Sequence, residues 1–163
     1  MKETVMEKIA SFQVDHTKLL PGIYLSRTDD ANGEIVYTYD IRMLTPNKEP
    51  VMDTCILHTL EHLGATYLRT VQKEVPIIYF GPMGCRTGFY LITAQELSSE
   101  KRCHLVKDML QWIISFEGKV PGASAEECGN YLDLNLNMAQ YQAKAFYQRL
   151  LNFSEKNYVY PSF

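Results

Sequence analysis

Residues 51–73 combine an apolar helical pattern with a pair of histidines, and this combination restricts the fold more than any other stretch. His58 and His62 lie four positions apart, and Glu61 directly precedes the second of them. Each residue of an α-helix turns by about 100°, so these three side chains share one helix face. The apolar positions around them are Ile56, Leu57, Leu60, Leu63, Tyr67, Leu68 and Val71. We therefore predict a largely buried helix, capped by Asp53 or Thr54, whose polar side chains need partners.

Two histidines at this spacing with an intervening glutamate are typical of a metal site in which the glutamate moves protons. A catalytic zinc-type site takes three protein ligands and keeps one position open for a Lewis-acid reaction. The candidates for the third ligand are Cys128, Cys85, His16, His104 and any carboxylate. Cys128 is favoured because the capping-box pattern at 124–127 predicts a short helical turn, where a thiolate is stabilised.

Cys85 lies in a glycine-rich segment, residues 81–88. A structural cysteine usually packs as a small apolar side chain inside a helix or strand. A cysteine held in a glycine-rich turn is better placed to be exposed and reactive. Cys85 is therefore a candidate reactive thiol.

The order of the predicted elements indicates an α+β fold. Residues 22–27 and 34–43 are predicted to form a β-hairpin closed by Asn32 and Gly33. The other predicted elements are strands at 75–80, 89–93 and 130–136, helices at 99–117 and 138–152 (the second capped by Asn137), a short strand or arm at 11–16 and an irregular tail at 154–163. Hairpins favour a mostly antiparallel sheet packed against helices, in a single domain covering residues 1–163.

The predicted strand 34–43 has two different faces. Its odd-numbered positions from 35 to 43 are apolar, and its even-numbered positions include Asp40 and Arg42. These two side chains share a face because side chains of a strand alternate. The pattern fits a surface pair and a functional pair equally well.

Composition and charge narrow the class of protein. At 163 residues, with 46% apolar and 21% charged residues, the chain fits one soluble globular domain. A formal charge of −3 and a pI near 5.8 argue against nucleic-acid binding. We see neither a signal peptide nor an apolar run long enough to span a bilayer, so we expect a cytoplasmic protein without a membrane partner. The cysteines form no CxxC pair, which excludes a zinc ribbon or thioredoxin-type motif.

Three motifs together resemble the S-ribosylhomocysteine lyase family, whose members make the precursor of autoinducer-2. The motifs are HTLEHL at 58–63, GPMGCRTGFY at 81–90 and ECG at 127–129. The similarity also takes in parts of 11–16, 39–42 and 46–47, and it spans nearly the whole chain in order. Three separate motifs carry much more weight than HxxEH alone.

This resemblance implies a metal-dependent lyase. It implies that His58, His62 and Cys128 bind a divalent metal, which is iron(II) in the native enzyme and can be replaced by zinc or cobalt. It also implies that Glu61 and Cys85 transfer protons. We expect the metal and nearby arginines to lower the pKa of Cys85.

The resemblance further implies how the small-molecule substrate binds. Its ribose and amino-acid ends would contact Ser11, His16, Arg42 and Arg69, with Phe12 and Asp40 as further candidates. The family is homodimeric and its active sites lie at the dimer interface, so a homodimer is expected.

The implied reaction converts S-ribosylhomocysteine to homocysteine and 4,5-dihydroxy-2,3-pentanedione. Two isomerisations move the carbonyl group along the sugar, and a β-elimination then releases the thiol. One departure from the family concerns the residues before the Cys85 motif, where many members carry Asp-Ile-Ser and this chain carries Tyr79-Phe80-Gly81. A carboxylate contact to the substrate's amino group is therefore not implied at this position.

Two other functions share part of the pattern. A metallopeptidase of the inverted zinc type also carries HxxEH on a helix, but it usually uses a carboxylate as third ligand and a larger chain. A non-catalytic metal-binding module would keep its function after Glu61→Gln. Loss of activity on replacing Cys85 with alanine would favour the lyase over the peptidase.

Overall fold

A computed structural model describes residues 6–162 as a four-stranded antiparallel sheet with three α-helices. The strands are β1 (Gly22–Ala31), β2 (Glu34–Arg42), β3 (Ile77–Pro82) and β4 (Gly88–Thr93), and the helices are α1 (Thr54–Thr66), α2 (Ser99–Ile114) and α3 (Leu136–Leu150). The strand order across the sheet is β1-β2-β4-β3. The predicted α+β class and antiparallel sheet are confirmed.

The hairpin between β1 and β2 forms as its turn residues predict. Asn32 and Gly33 have φ values of 59° and 93°, which a two-residue turn of this type requires and which asparagine and glycine tolerate best. The carboxylate of Asp30 accepts a 2.6 Å hydrogen bond from the Gly33 amide. Strand β1 extends to Ala31, four residues further than the pattern indicates.

The two faces of the sheet differ in chemistry. Tyr39 and Ile41 of β2 belong to the hydrophobic core that the sheet shares with the helices. The opposite face, which we call the outer face, carries Asp40 at the centre of a row in which Tyr24 and Tyr90 are its neighbours on β1 and β4. The alternation in 34–43 is therefore confirmed, but the polar face of β2 is also buried.

Helix α1 carries the two histidines and lies close to the edge strand β3. Asp53 is its N-cap, as expected, although the backbone carbonyl and not the side chain makes the capping contacts. A side-chain carbon at Gly64 would overlap the ring of Phe80, so glycine allows this close packing. The helix continues into a π-helical turn over Tyr67–Val71.

The predicted strand at 130–136 is wrong, because this segment forms turns whose polar groups bond to α1. The Asp133 carbonyl pairs with His58, and the Asn135 amide donates to the Thr59 hydroxyl at 2.8 Å. Helix α3 consequently starts earlier than predicted. Its cap is Asn135, not Asn137, and the Asn135 side chain accepts a hydrogen bond from the Met138 amide.

Two smaller expectations change. Residues 11–16 contain no strand, and Ala10–Phe12 is a 3₁₀ turn instead. Helix α2 ends at Ile114, so the prediction that it reaches residue 117 is wrong. The short helical turn predicted after Ser124 is confirmed, because the Ser124 carbonyl accepts hydrogen bonds from the amides of Glu127 and Cys128. Within residues 6–162, no helix has the length and hydropathy needed to cross a membrane.

Candidate active site

His58, His62 and Cys128 form a cluster, which we call the ligand cluster. One donor atom from each side chain lies within 4.8 Å of the other two, and all three residues are half-buried. Helix α1 supplies the histidines one turn apart, and the turn that follows Ser124 delivers the cysteine. Cys128 Sγ lies 3.4 Å from His58 Nε2.

Backbone carbonyl groups orient both imidazoles of the ligand cluster. His58 Nδ1 is 3.0 Å from the carbonyl oxygen of Asp133, and His62 Nδ1 is 2.7 Å from that of Pro121. A carbonyl oxygen only accepts, so each Nδ1 carries the proton and each Nε2 keeps a free lone pair. This is the usual arrangement for a metal-binding histidine.

Two further backbone features support the ligand cluster. The amide of Asn130 donates to Cys128 Sγ at 3.4 Å, which helps to hold the sulfur atom in place. Gly122 has a φ of +74°, and a side-chain carbon there would lie 3.0 Å from His62 Nδ1. Glycine at this position therefore lets the chain approach the imidazole closely enough for the Pro121 contact.

The chemistry of this donor set fits a divalent transition metal. Two imidazole nitrogens and one thiolate suit zinc, iron(II) or cobalt(II), and three protein ligands match a catalytic site with an open position. Among residues 6–162 this is the one group of three metal-binding side chains that converges. His104, another candidate ligand, is exposed on α2 beside Glu100 and takes no part.

Glu61 and Arg69 lie beside the ligand cluster. Together with His62, Tyr79 and Gly122 they line one surface cleft between α1 and β3. Glu61 is half-buried, whereas Arg69 is exposed in the π-helical turn. The cleft therefore offers a carboxylate and a guanidinium next to the metal-binding atoms.

Cys85 lies outside the ligand cluster, exposed in the tight loop between β3 and β4. The Arg86 amide donates to the Met83 carbonyl at 2.9 Å, and Arg86 itself has a φ of +59°, which is uncommon for a residue with a side chain. The Thr87 carbonyl accepts hydrogen bonds from the amides that follow β2. Backbone contacts on both sides therefore fix the position of Cys85.

Cys85 belongs to a second group, with Asp40, Arg42 and Thr87, which we call the thiol cluster. Arg42 donates to both carboxylate oxygens of Asp40, at 3.1 and 2.6 Å, and both residues are almost fully buried. Its remaining nitrogen, Nη1, lies 2.6 Å from Thr87 Oγ1 and 3.5 Å from Cys85 Sγ. Asp40 and Arg42 are therefore not a surface pair, and Arg42 brings its charge to the thiol.

The electrostatics of the thiol cluster favour the ionised form of Cys85. Partial burial raises the pKa of this thiol, but hydrogen bonds with Thr87 and the charge of Arg42 lower it further, to a net value below the usual range. The Thr87 hydroxyl accepts from Arg42, so its own proton is free to point at Cys85 Sγ, 3.1 Å away. Burial raises the pKa of Asp40, while the donors around it stabilise the carboxylate form.

Of the expected substrate-binding residues, Arg42 belongs to the thiol cluster and Arg69 lines the cleft with Glu61, whereas the other two lie on the outer face of the sheet. Ser11 lines a cleft on the outer face with Arg27, Thr38 and Tyr79. His16 is half-buried and close enough to interact with the charge of Asp40. Tyr79 lines this cleft and the one that contains Glu61, so it separates the two.

Sequence reasoning missed two residues, Thr87 of the thiol cluster and Tyr160, which binds to this cluster. Thr87 follows Cys85 by two positions, a spacing that places alternate side chains of an extended chain on one side and that could have suggested the contact. Tyr160 donates a 2.8 Å hydrogen bond to Asp40 from the far end of the chain. No local pattern connects Tyr160 with residue 40, so the sequence gives no signal for this contact.

Comparisons with known proteins identify the family of this chain. The family model described as S-ribosylhomocysteinase (LuxS) matches residues 9–157. A protein named S-ribosylhomocysteine lyase from Clostridium acetobutylicum is 52% identical over 160 residues, covering 96% of this chain and 99% of the relative. Proteins of the same name from Clostridium beijerinckii and Finegoldia magna are 51% and 48% identical, each over 96% of this chain and at least 99% of the relative. Similarity at this level over nearly the full length shows that the chain belongs to the S-ribosylhomocysteinase (LuxS) family.

Proposed function

We propose that this protein is a metal-dependent lyase that converts S-ribosylhomocysteine to homocysteine and 4,5-dihydroxy-2,3-pentanedione. The observation that carries the proposal is the convergence of His58, His62 and Cys128 beside the carboxylate of Glu61. The names of the close relatives support the same reaction. The cysteine in the ligand cluster argues against a peptidase of the inverted zinc type, which usually takes a carboxylate there.

The ligand cluster would hold the metal, which we propose is iron(II), with zinc or cobalt(II) as substitutes. When bound, a divalent ion polarises the carbonyl and hydroxyl oxygens of a sugar and makes the adjacent C–H bonds more acidic. The backbone carbonyls of Asp133 and Pro121 hold the two imidazoles in the orientation that such an ion needs.

Glu61 and Cys85 are the proposed proton-transfer residues. Each isomerisation requires that one group removes a proton from the carbon beside a carbonyl and that another returns a proton to the neighbouring carbon. In the elimination, loss of a further α-proton accompanies breaking of the C–S bond, and the departing thiolate takes up a proton. A positioned acid or base is typically worth about 10²–10⁴ in rate. The lowered pKa of Cys85 makes its thiolate more accessible than that of an ordinary cysteine.

Substrate binding is proposed for Ser11, His16, Arg42 and Arg69. Arg69 is the exposed cation of the cleft that holds Glu61, so it suits a carboxylate group of the substrate. Arg42 uses most of its donors within the thiol cluster, and only Nη1 reaches Cys85. Its contact with a substrate would therefore be made next to the thiol.

We also propose a homodimer with its active sites at the subunit interface. Within residues 6–162, no hydrogen bond or ion pair joins the ligand cluster to the thiol cluster. A second copy would add groups to the substrate site that a single chain leaves apart. A cytoplasmic location, and the absence of nucleic-acid and membrane partners, stay predictions.

A thiol-release assay tests the proposed reaction. The protein is purified without oxygen, loaded with iron(II) and given S-ribosylhomocysteine, and free homocysteine is followed with a thiol reagent. We expect release by the wild type, and a loss of about 10²–10⁴ in kcat for Glu61→Gln and for Cys85→Ala. His104→Ala, at an exposed histidine on α2, is the matched control and should keep full activity. A folded, iron-loaded wild type that releases no thiol would refute the lyase, and peptide substrates would be examined next.

A further inference from the structure

The C-terminal tail lies against β1 on the outer face of the sheet. Asn157 anchors it, because the side-chain amide donates to the Pro21 carbonyl at 2.8 Å. Three residues later the ring of Tyr160 stacks on Tyr24, with the centroids 4.7 Å apart and the planes 15° apart. The tail thus brings Tyr160 to a defined place over β1.

The hydroxyl of Tyr160 continues the polar network of the thiol cluster. It donates to Asp40 Oδ2 at 2.8 Å, and Arg42 supplies the other donors to that carboxylate. The third nitrogen of Arg42, Nη1, makes its contacts with Thr87 and Cys85. A continuous series of hydrogen bonds therefore runs from the tail to the candidate catalytic thiol.

We propose that Tyr160 is a positioning residue for the Cys85 thiol and that it acts through Asp40 and Arg42. The inference rests on the proposed lyase function, in which this thiol transfers protons. A carboxylate with donors on both oxygens has one favoured orientation, and a guanidinium bound to it by two nitrogens adopts a matching one. The Tyr160 hydroxyl is the one of these donors that does not belong to Arg42, so it ties the carboxylate and guanidinium together to the tail; without it the pair is held less firmly, and Nη1 can move away from Cys85. Tyr160 lies beyond residue 157, where the match to the family model ends.

Groups from several elements act on the charge of Cys85. Arg42 of β2 is the cation beside it, and Tyr90 of β4 lies near enough for its ionisation to interact with that of the thiol. Thr87 contributes hydrogen bonds, and Asp40 lies behind Arg42. Since Arg42 is the cation among these groups and also donates to Thr87, a change in its position alters both its own interaction with Cys85 and the placement of the Thr87 hydroxyl.

Alkylation of Cys85 at a series of pH values tests the proposal in the metal-loaded, full-length protein. The rate of reaction with iodoacetamide is measured at Cys85 by peptide mass spectrometry. Tyr160→Phe keeps the stacked ring and removes only the hydroxyl. Tyr158→Phe is the matched control, because that tail tyrosine interacts with Cys103 and Arg102 instead of Asp40.

We expect Tyr160→Phe alone to move the midpoint of alkylation to higher pH and to lower kcat near neutral pH, with KM and metal content unchanged. A Tyr160→Phe profile that superimposes on the wild type would overturn the proposal. An equal shift in Tyr158→Phe would also overturn it, since general loosening of the tail would then explain both. Thermal unfolding curves set a temperature at which all variants are folded. Alkylation involves no substrate, so a failure of the lyase reaction would leave this test intact.

Discussion

The ligand cluster and the thiol cluster each hold a reactive group in a defined position, but they do so through different kinds of structure. The ligand cluster depends on helical spacing, because His58 and His62 are four positions apart and one turn of α1 brings them together. Long-range contacts only orient its imidazoles, through backbone carbonyls. The thiol cluster depends on strand pairing, because Arg42 is the register partner of Gly88, next to Thr87.

Because of this difference, the two clusters should respond differently to mutations and to shifts of neighbouring elements. A helix keeps its spacing even when neighbouring elements shift, so the ligand cluster fails mainly by loss of a donor or of its backbone support. A slip of one residue between β2 and β4 would turn Arg42 to the other face of the sheet. The thiol cluster also contains a buried ion pair, so losing one partner leaves an uncompensated charge.

The largest effect is expected from removal of a metal ligand. His62→Ala should lower metal affinity and activity by more than about 10²-fold, since even indirect support of a ligand is worth about 10–100-fold. The pH profile of Cys85 alkylation should move only slightly, because within residues 6–162 the two clusters share no hydrogen bond and only the charge of the metal is lost. Metal content by atomic spectroscopy and alkylation by mass spectrometry check the two statements. A large shift of the alkylation profile would show that the clusters are not independent.

Arg42→Met should break the thiol cluster and spare the ligand cluster. It leaves Asp40 buried without its cation, which we expect to destabilise the fold by about 3–5 kcal/mol in urea unfolding. It also removes a cause of the low pKa of Cys85. The pKa should therefore rise, so the thiolate becomes rarer near neutral pH and alkylation recovers only at higher pH.

The double variant Asp40→Asn with Arg42→Met separates the loss of stability from the rise in the pKa of Cys85. Replacing both partners removes the uncompensated charge, so much of the stability should return. The reactivity of Cys85 should stay low, because Arg42 is still absent. Recovery of reactivity along with stability would show that Arg42 acts on the thiol only through the fold.

A smaller effect should follow from Gly122→Ala, which tests the backbone support of the ligand cluster. The new side-chain carbon would lie 3.0 Å from the His62 ring, and the positive φ adds strain of roughly 1–2 kcal/mol. We expect about 10–100-fold weaker metal binding, as for other indirect supports of a ligand. Gly118→Ala is the matched control, because Gly118 also has a positive φ but has open space where the carbon would go. Equal losses in both variants would assign the effect to backbone strain alone.

The smallest effect on the fold is expected from Thr87→Val, which keeps the shape of the side chain and removes its hydroxyl. The hydrogen bond between Thr87 and Cys85 stabilises the thiolate, and it is the largest of the influences that lower the pKa of this thiol. Its loss should raise the pKa and move the alkylation midpoint to higher pH, with a smaller loss of stability than in Arg42→Met. Thr87→Ser restores the hydroxyl and should restore the wild-type profile. An unchanged midpoint in Thr87→Val would contradict the role of this hydrogen bond.

The parts of this protein that depend on local spacing follow from its sequence. The helix that carries His58, Glu61 and His62, the hairpin closed by Asn32 and Gly33, and the glycine-rich loop around Cys85 all follow from patterns within a few residues. The family could be recognised for the same reason, because its motifs are short and occur in order.

Contacts between segments that are far apart in the sequence are visible only in the folded structure. The pattern at 130–136 resembled a strand, but its carbonyl and amide groups bond to His58 and Thr59 instead of to a sheet edge. The sequence pattern at Asp40 and Arg42 fits a surface pair as well as a functional pair. In the folded protein, the tail and the loop after β3 cover both side chains. A hydrogen bond between Tyr160 and Asp40 depends on where the chain returns in space, and periodicity along the sequence carries no information about that position.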